Sequence, residues 1–217
     1  MMKMWMAAAA AASVVCAVAR VQASNVASGP AEQDLAPAVR AFLADHGDLC
    51  LAWYTWPREV TVEQQRSGLN EAVQLPVLER LGLVKSSDVP ASQPGAAADG
   101  LSRRYSLTAK GRHYYLEKKR TTLGVHGETQ SHDGDFCVAQ LSLDKIVKWT
   151  PPEELHGHLQ TLVKYTYRIK SADWIHDAEA RRVFPMVDRI VRGAGRLEMT
   201  ANVQQQDGKW VPVLPGQ

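Results

Sequence analysis

The chain has 217 residues, with 25 Lys and Arg against 23 Asp and Glu, and three cysteines. So even a balance gives no global support for nucleic acid or an anionic membrane as a partner. The aromatic and aliphatic content is that of an ordinary globular protein, and the length suits one large domain or two small ones.

Residues 1–23 open with Lys3, continue as an apolar run from Met4 to Val18, and end in small residues at Val21-Gln22-Ala23. A short positive leader, an Ala-rich centre and A-x-A-like exits read as a signal peptide cleaved after Ala23. The run falls short of the roughly 20 apolar residues of a membrane span, so no stable span is expected after cleavage. An uncleaved anchor, or an Ala-rich helix of a cytosolic protein, is the alternative. Cleavage takes away Lys3 and Arg20 and no acids, leaving 23 charges of each sign. It also takes away Cys16 and leaves Cys50 and Cys137 as an even pair, which an oxidising compartment would allow to bond. Separation along the chain does not tell distance. The reading is therefore the disulfide, with two separately buried thiols as its alternative.

Residues 24–33 are small and polar and read as a flexible leader. Asp34 opens a helix with Leu35, Val39, Phe42 and Leu43 on one face, stopped by Gly47. Leu49 to Trp56 reads as a buried strand stopped by Pro57. Thr61 and Gln64 have capping-box spacing. Leu69, Val73, Val77, Leu78 and Leu81 recur at helical spacing up to Gly82, with Pro76 as a kink or true start. Leu83-Val84 begins a strand, residues 88–100 form a Pro/Ala/Gly-rich loop, Arg104 to Leu107 returns, and Thr108 caps a short helix through Leu116.

The stretch Leu75-Pro76-Val77-Leu78-Glu79-Arg80-Leu81-Gly82-Leu83-Val84, followed by Arg103-Arg104-Tyr105-Ser106-Leu107-Thr108-Ala109-Lys110-Gly111, resembles the winged-helix domains of bacterial transcription regulators. A leucine-rich helix, a Leu-Gly-Leu-Val exit, a wing and Tyr-x-Leu-Thr-x-x-Gly carry the resemblance, over residues 61–120. It implies a module spanning residues 34–122 and says little about function. The family's recognition helix would fall on residues 69–81. These carry Glu71 and Glu79 against Arg80, and Pro76 interrupts them, so few side chains there could reach base edges.

A second module is expected over residues 135–215. Phe136 to Trp149 holds one long strand or two with a break at Asp144-Lys145, and Pro151-Pro152 enforces a turn. His158 to Lys170 alternates cleanly: Leu159, Thr161, Val163, Tyr165, Tyr167 and Ile169 share one face, and Gln160, Lys164, Arg168 and Lys170 the other. That pattern predicts an antiparallel sheet with one wet face. Asp177 to Val191 reads as a helix with Pro185 as kink or restart. Leu197 to Val203 reads as a strand, and Asp207-Gly208 as a two-residue hairpin turn. The fold class expected is α+β, a winged-helix-like N-terminal module followed by an antiparallel sheet packed on one helix.

The densest charge feature is residues 103–120, with Arg103, Arg104, Lys110, Arg112, Lys118, Lys119 and Arg120 against Glu117. It reads as a solvated basic face or a contact for a protein or anionic envelope polymer. His126, Glu128, His132, Asp133 and Asp135 cluster without zinc-site spacing, and no catalytic motif or phosphate-cradling loop is present. Trp53, Tyr54 and Trp56 at strand spacing read as core rather than a ligand platform.

The expectation is a periplasmic or secreted, non-enzymatic binding or structural protein of the bacterial envelope, with no cofactor and no metal. Its interaction surface is expected at Arg103, Arg104, Lys110 and Arg112, or on a concave sheet face around Lys164, Thr166 and Arg168. Its partner would be an unidentified envelope protein or polymer. A winged-helix DNA-binding regulator is the alternative if residues 1–23 are not an export signal.

Overall fold

The structure, a computed structural model, describes residues 29–68, 70–90, 101–123 and 128–213. The expected signal, the first half of the leader, Leu69, most of the wing loop and His126 lie outside the described residues.

The first helix, α1 (Glu32–His46), starts where Asp34 accepts a hydrogen bond from the backbone N–H of Ala31 at 2.9 Å. It buries Leu35, Ala36, Ala38, Val39 and Leu43 at helical spacing. The strand expected from Leu49 is only β1 (Asp48–Cys50); the chain then leaves strand geometry, with Ala52 at φ 58° and a cis bond between Trp56 and Pro57. It re-forms as β2 (Arg58–Val60). The capping box of α2 (Val62–Ser67) is present: the Thr61 N–H donates to Gln64 Oε1 at 2.8 Å, and the Gln64 N–H to Thr61 Oγ1 at 3.2 Å. Helix α3 (Asn70–Arg80) runs through Pro76 without breaking.

Strands β3 (Val84–Pro90) and β4 (Leu101–Leu107) pair, and with β2 they form a three-stranded sheet in the order β2-β4-β3. Thr108 caps the single turn α4 (Ala109–Arg112), shorter than expected, through the Gly111 N–H at 3.0 Å. A Cβ on Gly111 would sit 1.9 Å from the Leu83 carbonyl oxygen, so only glycine allows this close approach. Next come β5 (Tyr115–Leu116), and β6 (Arg120–Leu123) paired with β7 (Thr129–His132).

The remaining elements are β8 (Asp135–Trp149), β9 (Glu153–Leu155), β10 (His158–Ser171), α5 (Ala178–Val183), α6 (Pro185–Arg192), β11 (Met199–Gln206) and β12 (Lys209–Pro212). Pro185 occupies the first turn of α6, so it restarts the helix rather than kinking it. Asp207 (φ 48°) and Gly208 (φ 75°) both take positive φ between β11 and β12, as the two-residue hairpin requires.

The expected fold class is not what forms. Of the described residues 43% are strand and 32% helix, and the chain is organised around a curled antiparallel half-barrel rather than a winged-helix module followed by a sheet. The large sheet has the path β1-β8-β10-β11-β12, with β5 and β9 added at its margins. Two reasons are visible. First, α1 does not serve the elements that follow it. It lies inside the curl, touching β1 and β8 on one side and β11 and β12 on the other. The helix inside the curl is therefore α1, and residues 177–191 pack beside it, with Ile190 against the same core. Second, Val60, Leu75, Leu78, Leu83 and Tyr105 share one core with Phe136, Val138, Trp174, Phe184 and Val187. The other core joins Leu35, Val39 and Leu43 to Leu141, Ile146, Val163, Tyr165, Tyr167, Ala201 and Val203.

The expected break in β8 is a pair of bulges. Against the regular β10, Lys148 pairs with Lys164 but Ile146 with Tyr165, and Lys145 pairs with Thr166 but Leu143 with Tyr167. Val147 and Asp144 are the extra residues. Each bulge bends and twists its strand, and two so close together curl the sheet.

Cys50 and Cys137 form a disulfide where β1 meets β8, in direct register with each other. The bond closes a loop of sequence separation 87. Replacing both cysteines with alanine should lower unfolding free energy by about 4–5 kcal/mol in the chain-entropy account, measured by urea denaturation. A loss below about 1 kcal/mol would show that the unfolded chain gains little from the cut.

Candidate binding surface

Strand β10 is regular, so its side chains alternate without interruption. Thr161, Val163, Tyr165 and Tyr167 point into the curl and are buried, and burial pushes up the Tyr165 and Tyr167 phenols. Tyr167 donates to the Ile190 carbonyl at 2.6 Å, which ties α6 to the sheet. Gln160, Leu162, Lys164, Thr166, Arg168 and Lys170 point the other way. Because α1 fills the inside of the curl, this is the convex face, and the concave surface expected around Lys164 and Arg168 is corrected accordingly.

Register fixes what surrounds them. Lys148 and Thr200 lie opposite Lys164, Lys145 opposite Thr166, Ser142 opposite Arg168 and Gln140 opposite Lys170. Asn202 and Gln204 flank Leu162 and Gln160, and the Asn202 amide donates to Gln160 Oε1 at 3.1 Å. Lys145, Lys148, Lys164, Arg168 and Lys170 are all exposed. The acids within or beside the field are Asp144, Glu153 and Glu198.

The bulge at Asp144 positions its carboxylate to accept from Arg168 Nε at 3.2 Å and from the Thr166 hydroxyl at 3.0 Å. Those hydrogen bonds, Arg168 first, hold the Asp144 carboxyl below its ordinary value. Lys164 stands 4.0 Å from Glu198. Lys145, Lys148 and Lys170 have no ion-pair partner among the described residues, so they remain free to meet an anion.

The other expected surface is dispersed. Arg103 and Arg104 are successive residues of β4 and so project to opposite faces. Arg104 pairs with Glu59 at 3.5 Å, and Arg103 lies in register with Asp88. Lys110 caps the end of α3, donating to the Leu81 carbonyl at 2.9 Å. Lys118 donates to the Asp45 carbonyl at 2.9 Å and pairs with Asp48 at 3.7 Å. Arg112 is exposed on α4. These cations mostly hold structure together, and none of them lies on the strands that carry Lys164 and Arg168.

Helix α3 is docked as well. Arg80 pairs with Asp177 at 2.6 Å and Glu179 at 3.0 Å, and Gln74 donates to the Val183 carbonyl at 3.0 Å. A groove of about 680 Å³ between α3 and α5 is lined by Val73, Pro76, Val77, Val183 and Pro185 among others.

Trp53 is core. It packs with Trp56, Phe136 and Phe184, and Arg58 lies 5.4 Å above its ring. His132 stacks on Tyr54 at 3.7 Å, with its Nε2 3.0 Å from the Thr122 hydroxyl. Asp135 is buried and accepts the Trp53 N–H at 2.8 Å. Among the described residues no three His, Cys, Asp or Glu side chains converge as metal ligands.

Lys145 and Lys148 are missing from the sequence-derived surface. β8 loses its alternation at the two bulges, and only long-range pairing with β10 brings these lysines beside Lys164. The visible signal was their spacing of three, which fits one strand face only if a residue is bulged.

No family model matches the chain, and comparison with curated proteins and with solved structures finds no match.

Asp177 also caps α5, accepting from the N–H groups of Glu179 and Ala180. The Arg80 hydrogen bond, then these backbone bonds, hold its carboxyl below 3.8. A depressed folded-state value means stability that is present above the unfolded value and lost as pH falls through the folded one. Asp177→Ala should therefore destabilise the protein at pH 7, and the difference from wild type should shrink below about pH 3.8 in urea titrations at each pH. An equal difference at pH 7 and at pH 2.5 would assign the loss to something other than the ionised carboxylate.

Proposed function

We propose that this is an exported, non-enzymatic binding protein of the bacterial envelope, which recognises an envelope component through the convex face of its large sheet. The observation that carries the reading is the set Lys145, Lys148, Lys164, Arg168 and Lys170, held on paired strands and covered by no helix among the described residues. A sheet face that is neither buried nor neutral is an electrostatic surface for an anionic partner.

Export is supported by the signal-like residues 1–23 and by the Cys50–Cys137 disulfide, a bond that oxidising compartments maintain. No helix among the described residues is long and apolar enough to cross a membrane. Recognition by α3 in a DNA groove is disfavoured by its docking on α5 through Arg80 and Gln74. The absence of a catalytic motif in the sequence supports binding over catalysis.

Reversing Lys145, Lys148 and Lys170 to glutamate tests the reading in a co-sedimentation assay with isolated envelope fragments. Wild type should pellet, and the triple variant should bind about tenfold or more weakly while melting at the wild-type temperature. Equal pelleting by the two proteins would remove the convex face as the binding surface.

A further inference from the structure

We infer that the ligand of the convex face is an acidic polysaccharide, a chain whose sugar units carry carboxylates among hydroxyl groups. The inference rests on the reading that this face is the binding surface, and it names the ligand class.

The cations do not form a compact cluster. Strand rise is about 3.4 Å per residue and strand spacing about 4.8 Å. On that grid Lys148 and Lys164 form one row, Lys145 and Thr166 the next, Ser142 and Arg168 a third, and Gln140 and Lys170 a fourth. Positive charge is thus drawn out along the paired strands, as a linear polyanion requires. No single concave pocket gathers these side chains, as recognition of a small anion would need.

Between the charges stand neutral hydrogen-bonding groups: Gln140, Ser142, Gln160, Thr200, Asn202 and Gln204. Amides both donate and accept, which matches sugar hydroxyls that do the same. The Asn202–Gln160 bond holds two of these amides in fixed orientation. Leu162, 47% exposed, adds aliphatic footing beside Lys164 for the C–H faces of sugar rings.

Other polyanions fit less well. Single-stranded nucleic acid binds by stacking bases on aromatic rings, and no aromatic side chain projects outward from β8, β10 or β11 on this face. Specific protein interfaces centre on buried aromatic or arginine anchors, whereas here the one arginine is tied to Asp144. A convex surface touches a bilayer only along a line, and its few exposed aliphatic side chains offer little to insert. Each exposed ion pair is weak, so affinity must come from many contacts along one chain and grow with its length.

The exported protein, electrophoresed in native gels containing alginate, tests this directly. Neutral dextran gels, flotation with phosphatidylglycerol–phosphatidylcholine vesicles and a gel shift with a single-stranded oligonucleotide serve as parallel arms. Alginate should retard the wild type and dextran should not. Shorter alginate fragments should retard it less, and the retardation should vanish at high salt. The Lys145→Glu, Lys148→Glu, Lys170→Glu variant should bind alginate about tenfold or more weakly. A control variant with Lys85→Glu and Lys119→Glu, both exposed elsewhere, should bind like wild type. Equal loss in the control variant overturns the inference, because net charge and not this face would then govern binding. Tighter capture by vesicles or by the oligonucleotide overturns it in favour of those ligands. Failure on alginate while the protein still pellets with envelope fragments removes the polysaccharide and leaves the convex face standing. Failure in both assays removes the face itself.

Discussion

Every layer of this protein depends on β8, the strand from Asp135 to Trp149. Its first residues are locked from several directions. Phe136 packs among Trp53, Trp56, Tyr114 and Trp174, Cys137 is bonded to Cys50, and buried Asp135 holds the Trp53 N–H. A carboxylate removed from water persists only with such partners. Further along, the bulges at Asp144 and Val147 bend the strand so that the sheet closes around α1. One strand thereby joins the aromatic core to the core around α1, and sends its remaining side chains outward.

The outward face follows from that constraint. Once α1 occupies the concave side, Tyr165, Tyr167, Val163 and Ala201 are committed to packing, and period-two alternation leaves Lys164, Arg168 and Lys170 in water. The bulges then carry Lys145 and Lys148 to the same side. These cations rise from paired strands, and ordering such a surface on binding costs less entropy than ordering a loop. The Asp144 carboxylate fixes Arg168 further through its own bulged position. Sheet geometry, packing and the proposed binding face are three consequences of one bent strand.

What was readable in the sequence was local. The Thr61–Gln64 box, the Thr108 cap, the interruption at Pro185, the turn at Asp207-Gly208 and the alternation of β10 are set by neighbours within a few residues. They form as those residues dictate. The expected fold class went astray at the level of partners. The apolar stripe of α1 says that the helix is covered but not by what, and the half-barrel claims it. The aromatic run after Leu49 reads as strand from its composition, yet Trp53 and Trp56 pack as an irregular aromatic knot around Phe136. Of the candidate surface, Lys164 and Arg168 were legible from period two. The expected companions Arg104 and Lys110 are tied to other elements, and Lys145 and Lys148 depend on register that no local pattern encodes.

The central claim, that the curl of β8 leaves the convex face as the surface this protein uses, is tested most directly by amine footprinting. Lysines would be labelled with and without isolated envelope fragments and quantified by mass spectrometry. The account predicts that Lys145, Lys148, Lys164 and Lys170 become protected when the fragments bind, while Lys85, Lys110 and Lys119 label at the same rate as before. Protection of Lys85, Lys110 and Lys119 with unchanged labelling on β8 and β10 would contradict it.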